Sequence, residues 1–321
     1  MRKDWQKIRD IYVPLNCLHY KLVNGFYVPC GKCIRCMKRK ASEWCFRIHQ
    51  EAENSFVYNA LLTYDDAHLK YKDDKAVLEK QHFIDFMKRF RERTFRYFGA
   101  RLRFFCVGEY GGKNGRPHYH VILFSDTDLR TIEGAHSSLD FISEQLEEAW
   151  RKGFCDVEPI KNPGATTRYL VNYLVANNDV RNCDKDIKPF RHMSRNPAVG
   201  ADWISKHPDL VKAIVERDNY RVPYGNGHMQ LPRYYRRKIM PDYMQIAHAD
   251  LYYERCAEFN KYMCLTLNHK ERYEYAKKRK EYQQRDKQAF EEQYRARKIH
   301  SSGRFASQVF ARREKTRQAH P

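Results

Sequence analysis

Two apolar runs, FFCVGEY (104–110) and HYHVILF (118–124), are separated by seven residues, GGKNGRP. A connector rich in Gly, Asn and Pro between two strand-like runs predicts a β-hairpin, and a hairpin constrains every side chain on its two strands. Side chains alternate across a strand, so His118 and His120 share one face. Glu109, near the end of the preceding strand, comes back across the hairpin to the same place. Two imidazoles and a carboxylate can converge on one cation and leave coordination positions open for substrate and water. That set suits Mn²⁺ or Mg²⁺ acting on a phosphate, although imidazole alone would equally suit zinc. A single strand histidine is more often a hydrogen-bonded core residue. Two at i and i+2, with a glutamate opposite, favour a metal.

The flanking sequence sets the fold class. FVYNALLTY (56–64) reads as a strand and DDAHLKYKDDK as a polar loop. In LEKQHFIDFMKRFRERTFRYF, the residues Phe83, Phe86, Met87 and Phe90 recur at helical spacing. SSLDFISEQLEEAWRKG places Ile142, Leu146, Ala149 and Trp150 on one helical face, FCDVEPI is a short strand, and GATTRYLVNYLVANN is a final helix. The first six elements follow β-α-β-β-α-β order. This predicts an α+β fold with a split β-α-β topology: four antiparallel strands carrying their helices on one face. The domain organisation expected is a Cys-rich segment (1–55), this core (56–180), an accessory region with a hairpin around Gly225-Asn226-Gly227 (181–240) and a basic helical tail (241–321).

Composition narrows the partner. Sixty Lys and Arg against forty Asp and Glu give a formal net charge of +20, a field that attracts polyanions. No apolar run is long enough to span a bilayer, and the N-terminus lacks the apolar stretch of a secretory signal. The membrane reading weakens, the nucleic-acid reading gains, and the expected compartment is a reducing cytoplasm. Residues 231–321 hold 22 basic and 11 acidic residues, so about half of the excess lies there.

A polarised phosphate needs a nucleophile. In RYLVNYLVANN, Tyr169 and Tyr173 are four apart and therefore neighbours on one helical face, while Leu170, Val171, Leu174 and Val175 cover the other. An H-hydrophobe-H strand followed by a helical tyrosine pair is similar to the HUH endonucleases that initiate rolling-circle replication. More narrowly, VPCGKCIRC, LLTYDDAHL, GEYGGKNGRPHYHVILF, YLVNYLV, RNPAVG and LPRYYRRKI resemble the replication initiators of microviruses, in particular the gokushovirus branch. The resemblance runs from residue 28 to about 239. It implies His118 and His120 as metal ligands, Glu109 as the third, and Tyr169 and Tyr173 as paired nucleophiles. It also implies single-stranded and origin DNA as substrate, and a host helicase and polymerase as partners in the bacterial cytoplasm. The family pattern typically has a lysine between the tyrosines or just after them, where this chain has Asn172, Ala176 and Asn177.

Ten cysteines complete the picture. Cys30, Cys33 and Cys36 have the spacing of a tetrahedral thiolate site, for which Cys17, Cys45, His19 and His49 are candidate fourth ligands. A zinc there would be structural. The dispersed Cys106, Cys155, Cys183, Cys256 and Cys264 read as small buried hydrophobes. The rival functions are a non-catalytic zinc-dependent nucleic-acid-binding protein and another HUH enzyme, such as a plasmid initiator or transposase. The charge distribution carries its own prediction. Deleting residues from about 245 onward should weaken non-specific DNA affinity and flatten its dependence on salt, measured as the slope of log affinity against log salt. An unaltered slope would make the tail a solvated helix with no part in phosphate contact.

Overall fold

A computed structural model describes residues 17–265 except 18, 32, 112–114, 131–137 and 161–188, together with scattered positions between 270 and 292. The chain divides into two compact units, Met1–Lys40 with Arg236–Pro321, and Ala41–Tyr235. In chain order the elements are β1 (Lys21–Val23), β2 (Phe26–Val28), α1 (Ile34–Ala52), β3 (Phe56–Thr63), β4 (Lys70–Lys72), β5 (Lys75–Val77), α2 (Lys80–Phe98), β6 (Leu102–Tyr110) and β7 (Pro117–Ser125). They continue with α3 (Ser138–Trp150), β8 (Cys155–Pro159), β9 (Phe190–Met193), α4 (Trp203–Lys206), α5 (Pro208–Glu216), β10 (Arg221–Tyr224), β11 (Gly227–Gln230), α6 (Arg233–Ile239) and α7 (Asp242–Leu265). Among the described residues no helix is long and apolar enough to cross a membrane.

The larger unit is built on one antiparallel sheet with strand order β8-β3-β7-β6-β9. Its first four strands have the split β-α-β arrangement and confirm the α+β expectation. Phe83, Phe86, Met87 and Phe90 of α2, with Ile142, Leu146, Ala149 and Trp150 of α3, are buried against Tyr58, Ala60, Leu62, Phe104, Cys106, Tyr119, Val121 and Leu123 of the strands. Gly99 ends α2 in the left-handed conformation and donates its N–H to the Phe95 carbonyl, a glycine C-cap.

Three features depart from the sequence reading. A fifth strand, β9, extends the sheet beyond β6. The polar loop after β3 contains a small hairpin, β4–β5. The helices are not confined to one face: Cys45, Ile48 and Ala52 of α1 pack on the opposite side against Val57, Phe105, Val107, Ile122 and Phe124. The cause is visible in β6 and β7, where the runs Phe104–Val107 and Val121–Phe124 are buried on both parities. A strand apolar on both faces needs two covering layers. The predicted helix at GATTRYLVNYLVANN lies outside the described residues.

The end of β3 is pinned from the α3 side. The Trp150 indole N–H donates to the Thr63 carbonyl at 2.8 Å, Thr63 N–H to Phe154 O at 2.9 Å, and Asp65 N–H to Lys152 O at 2.9 Å. This close approach requires Gly153. Its φ is +142°, and a Cβ there would meet Asp65 N and Thr63 O at 2.4 Å. Gly153→Ala should therefore cost roughly 2–4 kcal/mol in chemical denaturation, from strain and backbone overlap together. A loss below about 0.5 kcal/mol, the range of ordinary surface changes, would show that the β3 end is not held this way.

Candidate metal centre

The face covered by α1 turns polar along two neighbouring strands. On β6 the same-face residues run Phe105, Val107, Glu109; on β7 they run Phe124, Ile122, His120, His118. The register pairs Glu109 with His118 and Val107 with His120, so the apolar cover gives way to three polar side chains side by side. On β3, Leu61 stands opposite His120 and Thr63 opposite His118.

The three side chains converge. His118 Nε2 lies 3.0 Å, and His120 Nε2 3.1 Å, from the same atom, Glu109 Oε1. The imidazole centroids are 5.0 Å apart. His118 Nδ1 is 3.1 Å from the Arg116 carbonyl, which can only accept, so that nitrogen carries a proton and Nε2 is the atom left to face a cation. Arg116 is itself held, its guanidinium donating twice to the Tyr64 carbonyl at 2.7 and 3.2 Å. Burial alone would raise the Glu109 pKa, but hydrogen bonds from His118 and His120 outweigh it and lower the value to about 2. The carboxylate is thus anionic at any ordinary pH. Its side chain is 6% exposed, against 17% for His118 and 11% for His120, so an anion is held almost dry while the imidazoles remain reachable.

Such a site fits a hard divalent cation. Two cis ligands about 2.1 Å from an octahedral ion stand about 3.0 Å apart, which is the spacing between Glu109 Oε1 and each imidazole nitrogen. One carboxylate and two imidazoles leave half of an octahedron for water and substrate oxygens.

Between the histidines, Tyr119 points to the opposite face and is fully buried. Its hydroxyl donates to Glu79 O at 2.9 Å, accepts from Glu79 N–H at 3.1 Å, and lies 2.8 Å from Tyr64 Oη, which in turn contacts His82 Nδ1 at 2.9 Å. One side chain thus fixes β7 between the two histidines. Sequence reasoning missed this residue, and its only signal was a tyrosine at the buried parity between two polar residues.

The other candidate residues fall as follows. Cys17, Cys30, Cys33 and Cys36 come together, with all four sulfurs within 4.8 Å of one another. Cys45 does not join them. It packs with Ile48 and Ala52 against the sheet, and nine helical residues from Cys36 amount to about 13 Å of rise. His49 faces Glu53 at 3.4 Å on the surface. Cys106 and Cys256 are buried as expected and Cys155 is half-buried. Tyr169 and Tyr173, with Asn172, Ala176 and Asn177, lie outside the described residues, as does Cys183.

Comparison with known proteins adds a family. The family model for replication-associated protein ORF2 matches residues 61–178. The replication-associated protein VP4 of Bdellovibrio phage phiMH2K is 30% identical over 67% of this chain and 68% of its own length. The replication-associated protein ORF4 of Chlamydia phage 1 is 32% identical over 50% of this chain, but the match spans only 41% of that relative. The replication-associated protein ORF2 of Spiroplasma virus 4 is 24% identical over 71% of this chain and 72% of the relative. No solved structure matches.

Tyr119→Phe keeps the ring and strands the Glu79 backbone groups and the Tyr64 hydroxyl without their partner. The expected loss is about 1–3 kcal/mol of stability. Weaker Mn²⁺ binding should accompany it, read by titration calorimetry, because the strand between the histidines loosens. Mn²⁺ binding unchanged despite the lost stability would separate the tyrosine from the site.

Proposed function

The chain belongs to the replication-associated protein family, and from that premise we propose that it initiates rolling-circle replication of phage DNA by nicking one strand at an origin. The observation that carries this reading is the meeting of Glu109, His118 and His120 at one point on an open sheet face. Glu109, His118 and His120 would hold Mg²⁺ or Mn²⁺, which when bound would supply Lewis-acid polarisation of the scissile phosphate. An anionic carboxylate repels a phosphodiester unless its charge is balanced, so cation and DNA strand are expected to bind as a linked pair.

The nucleophile would be Tyr169 or Tyr173. The phenol oxygen forms a bond to phosphorus as the bond to the 3′ oxygen breaks, leaving the 5′ end as a phosphotyrosine and a free 3′-OH that primes synthesis. Covalent capture conserves the phosphodiester, so later attack by a 3′-OH rejoins the strand. Copying a circle needs a second cleavage while the first tyrosine is still esterified. A second phenol four residues along a helix, about 5–6 Å away at Cβ, removes that conflict. The basic chain supplies sequence-independent contact to single-stranded and origin DNA, and unwinding and elongation fall to a host helicase and polymerase.

A nicking assay on an origin oligonucleotide tests this, with the covalent product mapped by mass spectrometry. Tyr169→Phe and Tyr173→Phe should each retain single-turnover nicking but fail in repeated circle release, and the double variant should form no adduct. His118→Ala and His120→Ala should lower cleavage at least ~100-fold, on the order of the loss of one charge-stabilising group, while DNA binding persists. A nucleotide on any other tyrosine, Tyr234 or Tyr235 for example, would overturn the paired-nucleophile reading. DNA binding with no adduct under any metal would favour a non-catalytic nucleic-acid-binding protein.

A further inference from the structure

The smaller unit contains a second cluster that the nicking reading leaves unused. Cys17 precedes the β1–β2 hairpin, Cys30 follows it, Cys33 stands immediately before α1, and Cys36 lies in the first turn of that helix. Their four sulfurs lie within 4.8 Å of one another, and none is in a disulfide. We propose that Cys17, Cys30, Cys33 and Cys36 hold one Zn²⁺ in a closed tetrathiolate site, which clasps the hairpin to the start of α1 and so seats the C-terminal helix α7.

Spacing is the first support. Zinc bonds of about 2.3 Å in a tetrahedron set neighbouring sulfurs about 3.8 Å apart. Cys17 Sγ and Cys33 Sγ are 3.8 Å apart, nearly double the roughly 2.05 Å of a disulfide. The backbone gives the second. Cys30 N–H donates to Cys17 Sγ and Cys33 N–H donates to Cys30 Sγ, each at 3.2 Å. A neutral thiol is a weak acceptor, whereas a metal-bound thiolate is an anion that such donors stabilise. The second of these bonds needs the chain to turn back within three residues. Gly31 provides that turn at φ +72°, and its carbonyl accepts from Lys40 Nζ at 3.0 Å.

The surrounding charge agrees. Cys33 and Cys36 sit at the N-terminus of α1, whose dipole favours negative charge. Four thiolates around Zn²⁺ carry two net negative charges, and Arg35, Lys38, Arg39 and Lys40 follow within the next two turns. Thiolates select zinc, while the carboxylate and imidazoles of the larger unit suit harder ions. The two sites therefore sort metals by ligand chemistry.

The mechanical consequence follows from what the hairpin touches. Two three-residue strands are too small to be stable alone. Yet Phe26 stacks on Tyr252 at 6.1 Å and meets Tyr253 at 5.4 Å, Tyr27 meets Phe259 edge-on at 5.4 Å, and the Tyr252 hydroxyl donates to the Tyr27 carbonyl. Residues 225 positions apart are joined through this hairpin. Zinc supplies the rigidity that it lacks, as metal binding does in other small folds.

The test uses the full chain purified under reducing conditions without chelator. Native alkylation with iodoacetamide, read by mass spectrometry, should find Cys17, Cys30, Cys33 and Cys36 protected, and all four should react once a mercurial has released the zinc. Cobalt substitution should give a thiolate-to-metal charge-transfer band, which an imidazole–carboxylate site does not produce. Cys17→Ser should lose that band, and Cys45→Ser should keep it. Hydrogen exchange should rise at least tenfold in residues 20–29 and 242–259 on zinc removal, with β6 and β7 unchanged. Equal alkylation rates with and without zinc, absence of the charge-transfer band in the wild-type chain, or a disulfide within the cluster would each overturn the site. Unchanged exchange in the hairpin and α7 would overturn the clasp. If Cys17→Ser proves insoluble, the wild-type alkylation and cobalt spectra still decide.

Discussion

The pairing register of β6 with β7 is the constraint on which the rest of this structure depends. Glu109 stands opposite His118 and Val107 opposite His120, while Tyr119 projects to the other side. Because side chains alternate with a period of two, a slip of one residue would exchange the faces. Tyr119 would be carried to the open face, and both histidines would enter a core built from Phe83, Trp150 and their neighbours. Every buried partner of Tyr119 would be lost in that exchange. The hydrogen bonds to Glu79 and Tyr64 thus do more than stabilise a strand. They make the arrangement that presents two imidazoles on one face the only one that satisfies the opposite face.

The layers divide the work between stability and access. α2 and α3 seal one face of the sheet with aromatic side chains. α1 covers the other only as far as Val107 and Ile122, and the polar triad begins where that cover ends. Rigidity therefore comes from behind the site and accessibility from its front, which suits a long polymer substrate. The electrostatics point the same way. A nearly buried carboxylate with a pKa of about 2 is a fixed negative charge in a chain of net charge +20. The overall field draws DNA in, while the local charge demands a cation before a phosphate can settle.

Much of this was legible in the sequence because it rests on local periodicity. The helical spacing of Phe83, Phe86, Met87 and Phe90, and of Ile142, Leu146, Ala149 and Trp150, records one buried face each. The Gly/Asn/Pro connector marked the hairpin, and alternation put His118 and His120 together. What escaped notice lacked such a pattern. β4 is exposed at all three positions and pairs only with β5, so no apolar alternation betrays it. β9 has four residues and borrows its order from β6. The second layer under α1 was written in the unbroken run Phe104–Val107, but a continuous apolar run does not say which helix covers it. The choice of Cys17 over Cys45 depended on a hairpin that returns Cys17 beside Cys30, a tertiary fact.

Whether the register of β6 and β7 builds a cation site from Glu109, His118 and His120 is tested most directly by anomalous diffraction. Data at the manganese edge, from crystals equilibrated with Mn²⁺, should show a peak in contact with His118 Nε2, His120 Nε2 and Glu109 Oε1. A saturating Mn²⁺ concentration that leaves this point empty, or a peak ligated by other side chains, would contradict it.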